Sequence, residues 1–133
     1  MHIDMDNISD FREQDFIKMY KWHYMANGSG LTGVESDVFR FLLSQMDDRN
    51  VSAPSKRKRE QFCSARGICK VQVSRAIARI LACGYVDQLG RGEYLVNPLV
   101  ASRVKRDDLV KIIVEHADKV VAMVERHNAT VSA

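Results

Sequence analysis

The chain has 133 residues, 46% apolar and 28% charged, with a formal net charge of +3. That length suits one domain burying roughly two thirds of the surface its unfolded form exposes, and the composition excludes a wholly disordered chain. No apolar run approaches the length of about 20 residues that a membrane helix needs, and the acidic opening MHIDMDNISD is unlike a secretory signal.

In chain order, residues 1–14 carry several Asp and little periodicity and are expected to form a flexible or loosely docked tail. Asp15 to Ala26, DFIKMYKWHYMA, fits an alternating strand and a helix with a wide apolar face equally. NGSGLTG breaks the pattern. Thr32 or Ser36 can then cap a helix in which Val38, Phe39, Phe41, Leu42, Leu43 and Met46 follow a 3.6-residue period. Asn50 to Pro54 can supply only an edge strand or a loop around Val51.

Ser55 stands at the N-cap of a helix running to about Ala65, with Phe62 and Cys63 on its buried side. Arg66, Gly67 and Ile68 connect it to a second periodic segment, Lys70 to Ala82, which ends before Gly84, a residue suited to the left-handed position after a helix. Two helices around a short Gly-containing turn make a helix-turn-helix. YVDQL and EYLVN have strand character and are joined through GRG, whose glycines permit a tight hairpin, and Pro98 ends the second strand. Helix-turn-helix followed by hairpin is the order of a winged helix. The expected fold is mainly α with a small β-hairpin wing, an α+β class, over residues 15–101.

Residues 102–133 are expected to add one C-terminal helix, from Arg103 to about Asn128, with Val110, Ile113, Ala117, Val120, Val124 and His127 at alternating steps of three and four. This stripe can pack entirely on its own domain, the commoner fate of an amphipathic helix, or pair with a second copy; because the winged-helix core is complete without it, Leu109, Val110, Ile113, Ala117, Val120 and Val124 are assigned to a homodimer contact. Two-fold symmetry would then present two binding helices to half-sites of an inverted repeat.

The small net charge hides a division. Residues 1–48 carry 4 cations and 9 anions, residues 49–106 carry 13 and 3, and residues 107–133 carry 3 and 5. A positive field bounded by acidic segments draws a polyanion to one face. On a helical wheel Val73, Ala76, Ile77 and Ile80 group together, opposite Val71, Arg75, Ala78 and Ala82. Small residues, Arg and Gln on that outer face suit entry into a DNA major groove about 12 Å wide, with Arg75 for guanine, Gln72 for adenine and Val71 for a thymine methyl. Lys70, Ser74 and Arg79 are assigned to phosphates, as are Lys56, Arg57, Lys58 and Arg59 of SKRKRE at the start of the preceding helix. Arg91, held between Gly90 and Gly92, is assigned to a phosphate or the minor groove.

With those residues assembled, the segment from about Asp15 to Pro98 resembles the RepL-like plasmid replication protein family of Gram-positive bacteria. The strings that carry the resemblance are DFIKMYK, SDVFRFLLSQMD, VSRAIARILACGYV and GRGEYLVNP. It implies a winged-helix protein that starts plasmid replication by origin binding, with Val73, Ser74, Arg75 and Ala76 on the recognition-helix motif and host replication proteins as further partners. Two features depart from that pattern: Cys69 stands where a capping Ser or Thr is usual, and the C-terminal helix has no counterpart in it.

His2, His23, His116 and His127 have no zinc-site spacing with Cys63, Cys69 and Cys83, so neither a metal nor any other cofactor is expected. The three cysteines are expected as reduced thiols, with Cys63 and Cys83 packed beneath the helix pair. No Gly-rich phosphate loop, nucleophile elbow or carboxylate cluster indicates an enzyme. The resulting expectation is a double-stranded DNA-binding protein of the cytoplasm, associated with nucleoid or plasmid and not with a membrane. It is expected either to initiate plasmid replication or to regulate transcription of plasmid or conjugation genes; a basic module for an acidic protein partner is the third reading.

Overall fold

A computed structural model describes residues 8–10, 18–20 and 30–132, with side chains for 30–130. Among these, five helices and six short strands form an α+β fold. Strands β1 (Ile8–Asp10), β2 (Lys18–Tyr20) and β6 (Ala101–Ser102) make one antiparallel sheet in the order β1-β2-β6. Strands β3 (Val51–Ser52), β5 (Glu93–Val96) and β4 (Val86–Gly90) make a second, in the order β3-β5-β4. Ile8–Asp10 falls within the expected tail, and the undecided segment Asp15–Ala26 is a strand at Lys18–Tyr20; the rest of both stretches lies outside the described residues.

Helix α1 (Gly33–Ser44) starts at Thr32, whose hydroxyl accepts from the Glu35 amide while the Glu35 carboxylate accepts from the Thr32 amide, a reciprocal cap satisfying two orphan donors. Its stripe Val38, Phe39, Leu42 and Leu43 is buried and packs with Ala76 and Ile80 of helix α3 (Lys70–Ala82), Tyr85, Val86, Val96 and Val100. Phe39 and Tyr85 stack at 5.2 Å. Arg103 reaches back to the α1 carboxyl end and donates to the Ser44 carbonyl at 3.1 Å, where a cation favours the helix dipole.

Asn50 joins the two sheets. It occupies the left-handed region at φ 62°, which Asn tolerates better than most residues. Its buried amide donates to the carbonyls of Val96 at 3.2 Å and Ala101 at 2.7 Å. Asn97 does similar work at the end of β5, donating to the Gly84 carbonyl and accepting from the Leu99 amide. The Asn97 amide is satisfied on both sides, whereas Asn50 Oδ1 is buried with no hydrogen-bond partner among the described residues, so only the donor side of Asn50 fixes the chain path.

The C-terminal segment differs from expectation. Instead of one helix from Arg103 it forms α4 (Arg106–Glu115) and α5 (Ala117–Ser132), interrupted at His116, whose backbone leaves the helical region at φ −114°, ψ 32°. The interruption turns different apolar residues inward on the two halves. Leu109 and Ile112 are buried from α4, and Val120 and Met123 from α5. Val120 and Met123 pack with Leu95 and Leu99, and Ile113, Val124 and Leu89 flank that cluster.

Candidate nucleic-acid interface

Helix α3 is held at one end and open at the other. Ala76 and Ile80 are buried, Val73 and Ile77 half-buried, and Val71, Gln72, Ser74, Arg75, Ala78, Arg79 and Ala82 exposed, the division expected from a 3.6-residue period. At its carboxyl end α5 supplies partners for the terminal carbonyls. Arg126 Nε donates to Leu81 at 3.0 Å, Thr130 Oγ1 to Ala82 at 3.4 Å, and His127 Nδ1 lies 3.2 Å from the Cys83 carbonyl. Gly84 makes this docking possible, with φ 76° and a pro-Cβ direction that points into the Met123 carbonyl. Among the described residues the amino-terminal half carries no such cover, and Val71 is 55% exposed.

Helix α2 (Lys56–Arg66) is capped by the Ser55 hydroxyl, which accepts from the Lys58 amide at 3.2 Å. It ends at Gly67 in the left-handed conformation, with the Ile68 amide donating to the Cys63 carbonyl. No α2 side chain is fully buried; Phe62 anchors the helix by stacking on Phe41 at 4.5 Å. Lys56, Arg57, Lys58 and Arg59 are all exposed in a first turn without an acidic residue, so four cations stand at the positive end of the helix dipole. The Lys56–Glu60 pair at 3.9 Å is exposed and offsets little of that repulsion. A face arranged in this way gains on meeting external anions.

Lys56 and Arg59 of α2 and Lys70 and Ser74 of α3 line one groove of about 790 Å³ between the two helices. The hairpin joins them there: Arg59, Val73, Ile77, Gly92 and Tyr94 border a recess of about 20 Å³. Arg91 is exposed at the hairpin tip beside Gly92, whose φ is 72°; Gly90 ends β4 next to an irregular register, so only one of the two flanking glycines uses positive φ.

Two assigned side chains have internal partners. The Gln72 carbonyl oxygen accepts from the Cys69 amide at 3.0 Å, which makes Gln72 the cap that Cys69, as N-cap, lacks in a hydroxyl. Bidentate contact with adenine requires that acceptor to be released. Arg79 donates to the Gly30 carbonyl at 3.4 Å and is directed toward the loop before α1, away from Lys70 and Ser74. The groove also brings in residues that composition and periodicity did not single out, namely Ile68, Cys69 and Tyr94. Tyr94 had a visible signal, an aromatic on one face of an alternating strand beside the hairpin tip.

The homodimer stripe needs correction. Leu109 and Val120 are about 1% exposed inside their own fold and Ile113 and Val124 are half-buried there; Val120, Ile113 and Val124 form part of the apolar cover over Leu95 and Leu99. Of the six residues only Val110 and Ala117 are exposed. The cysteines also divide: Cys83 is buried, Cys63 half-buried and Cys69 exposed, against the expectation that Cys63 would pack as Cys83 does. Among the described residues no group of three or more potential ligands could hold a metal ion, and no helix is long and apolar enough to cross a membrane. No protein-family profile, curated protein or solved structure matches the chain.

Proposed function

We propose that the chain is a sequence-specific double-stranded DNA-binding protein of the winged-helix class. α3 enters the major groove, α2 clamps the phosphate backbone and the β4–β5 hairpin acts as the wing. The observation that carries this reading is the exposed amino-terminal half of α3, bearing Val71, Gln72 and Arg75, next to a groove rimmed by the cations of α2. Arg75 reads guanine, Val71 meets a thymine methyl and Gln72 joins them on releasing its cap, while Lys56, Arg57, Lys58, Arg59, Lys70 and Ser74 fix register on phosphates. Arg91 reaches a phosphate or the neighbouring minor groove.

Binding of a plasmid origin, bending it and recruiting host replication proteins, is the cellular role we attach to this chemistry, on the resemblance of VSRAIARILACGYV and GRGEYLVNP to the RepL-like family. Two copies on an inverted repeat would pair through surface other than the covered apolar cluster, with Val110 and Ala117 still accessible. Selection of bound sites from random duplexes, followed by titration at several salt concentrations, tests the binding. A preferred site and a steep linear fall of log affinity with log salt are expected, and salt-independent binding would defeat the proposal. Arg75→Ala should cost about 1–3 kcal/mol on the preferred site and relax its sequence, whereas Lys58→Ala should weaken all duplexes alike and reduce the salt slope by about 1. Placing the gene and its flanking DNA on a plasmid without an origin separates the roles: replication supports the initiator, and promoter binding without replication supports a transcriptional regulator.

A further inference from the structure

The groove between α2 and α3 has a feature that phosphate binding does not use. Its floor is apolar: Ile68, Val73, Ile77 and Tyr94 line it, each half-buried and still reachable by solvent. Its rim is cationic, with Lys56, Arg59 and Lys70 opposed, among the described residues, by the carboxylate of Glu60 alone, which is already paired with Lys56. The volume of about 790 Å³ falls in the range of small-molecule sites, which are mostly apolar with a few converging polar groups. A sugar-phosphate strand would engage the rim and leave the floor unrewarded. A molecule with an apolar body and an acidic head satisfies both.

We propose that this groove binds a small amphipathic anion, an aromatic or medium-chain aliphatic carboxylate or sulfonate. The apolar part lies on Val73, Ile77 and Tyr94, and the head lies among Lys56, Arg59 and Lys70. Since those cations are also the assigned phosphate contacts, occupant and DNA exclude each other, and the groove becomes the place where a small molecule releases the protein from DNA. That competition rests on the DNA-binding reading; binding of the anion does not.

The test uses the full chain and two dyes of matched ring system, 1-anilinonaphthalene-8-sulfonate and the uncharged N-phenyl-1-naphthylamine. The sulfonate is expected to bind once per chain with a Kd on the order of tens of micromolar, ordinary for a ligand of its size, and the neutral dye about tenfold or more weaker. Lys56→Gln, Arg59→Gln and Lys70→Gln combined should weaken the sulfonate about tenfold or more and leave the neutral dye unchanged. These side chains are exposed, so folding is not at stake. Cys69, exposed on the lining of the same groove, gives an independent reading: decanoate should displace the dye and slow alkylation of that thiol by iodoacetamide. Equal binding of the two dyes, sulfonate binding indifferent to the triple substitution, or an unprotected Cys69 would each overturn the site. If the anion binds by these criteria and a duplex does not compete with it, the groove stands and the assignment of its cations to DNA fails.

Discussion

Helices α2 and α5 both adjoin α3, and they hold it in opposite ways. α5 buries Val120 and Met123 and places Arg126, His127 and Thr130 on the last carbonyls of α3 and the Cys83 carbonyl beyond them. α2 buries nothing completely, carries four cations at its start and rests on the Phe62–Phe41 stack. The well-anchored partner closes the carboxyl end of α3, and the lightly anchored one stands along the open groove. Stability and accessibility are thus divided between the two ends of one helix, since an element with few buried contacts opens at lower cost than one in the core.

The largest expected effect comes from disturbing the anchored end at its tightest point. Gly84→Ala combines a positive φ with a Cβ driven into the Met123 backbone, and α5 cannot retreat without losing its cluster. A loss of about 4 kcal/mol is expected in urea unfolding, more than half the stability of many domains this size. Gly92→Ala isolates the conformational part: its φ is 72° but none of the described residues lies within 4 Å of the added carbon, so about 1 kcal/mol is expected. Equal losses at the two glycines would mean that α5 does not press on Gly84.

The next comparison truncates one anchor from each helix. Met123 is fully buried, and Met123→Ala should cost about 3 kcal/mol. Phe62 is half-buried, and Phe62→Ala should cost about 1–2 kcal/mol despite removing the larger side chain. Thermal melts of the two variants measure the order, and a larger loss at Phe62 would show that α2 is fastened far more firmly than its burial indicates.

The elements around α3 were legible in the sequence because each carries a local signal: Ser55 and Gly67 bound α2, the Val73, Ala76, Ile77 and Ile80 stripe marks the inner face of α3, and GRG marks the hairpin. What lay beyond reach was the partner of each apolar stripe. Periodicity shows that Val120 and Val124 face something apolar, but it cannot distinguish a second subunit from Leu95 and Leu99 of the same chain. The interruption at His116 had no Pro or Gly to announce it. Gln72 and Arg79 were readable as polar residues on an outer face, whereas their use as a cap and as a link to the Gly30 carbonyl depends on backbone groups whose positions only folding sets.

The smallest effect concerns the Cys83 thiol, buried just beyond α3 in the core that α3 shares with α1. Burial raises the pKa of Cys83 above its ordinary 9.0; the Arg79 guanidinium opposes the shift and the Glu35 carboxylate adds to it. The folded chain therefore keeps a proton that the unfolded chain releases first as the solution becomes alkaline. The stabilisation is present in full below 9.0 and is lost as pH rises through the higher folded pKa. Cys83→Ala removes this contribution, so the stability difference between the parent chain and the variant should narrow between neutral pH and about pH 10, other titrating groups cancelling in the comparison. A difference that stays constant over that interval would mean that water reaches the Cys83 thiol in the folded chain, and with it that the core shared by α1 and α3 is closed less completely around Cys83 than its burial implies.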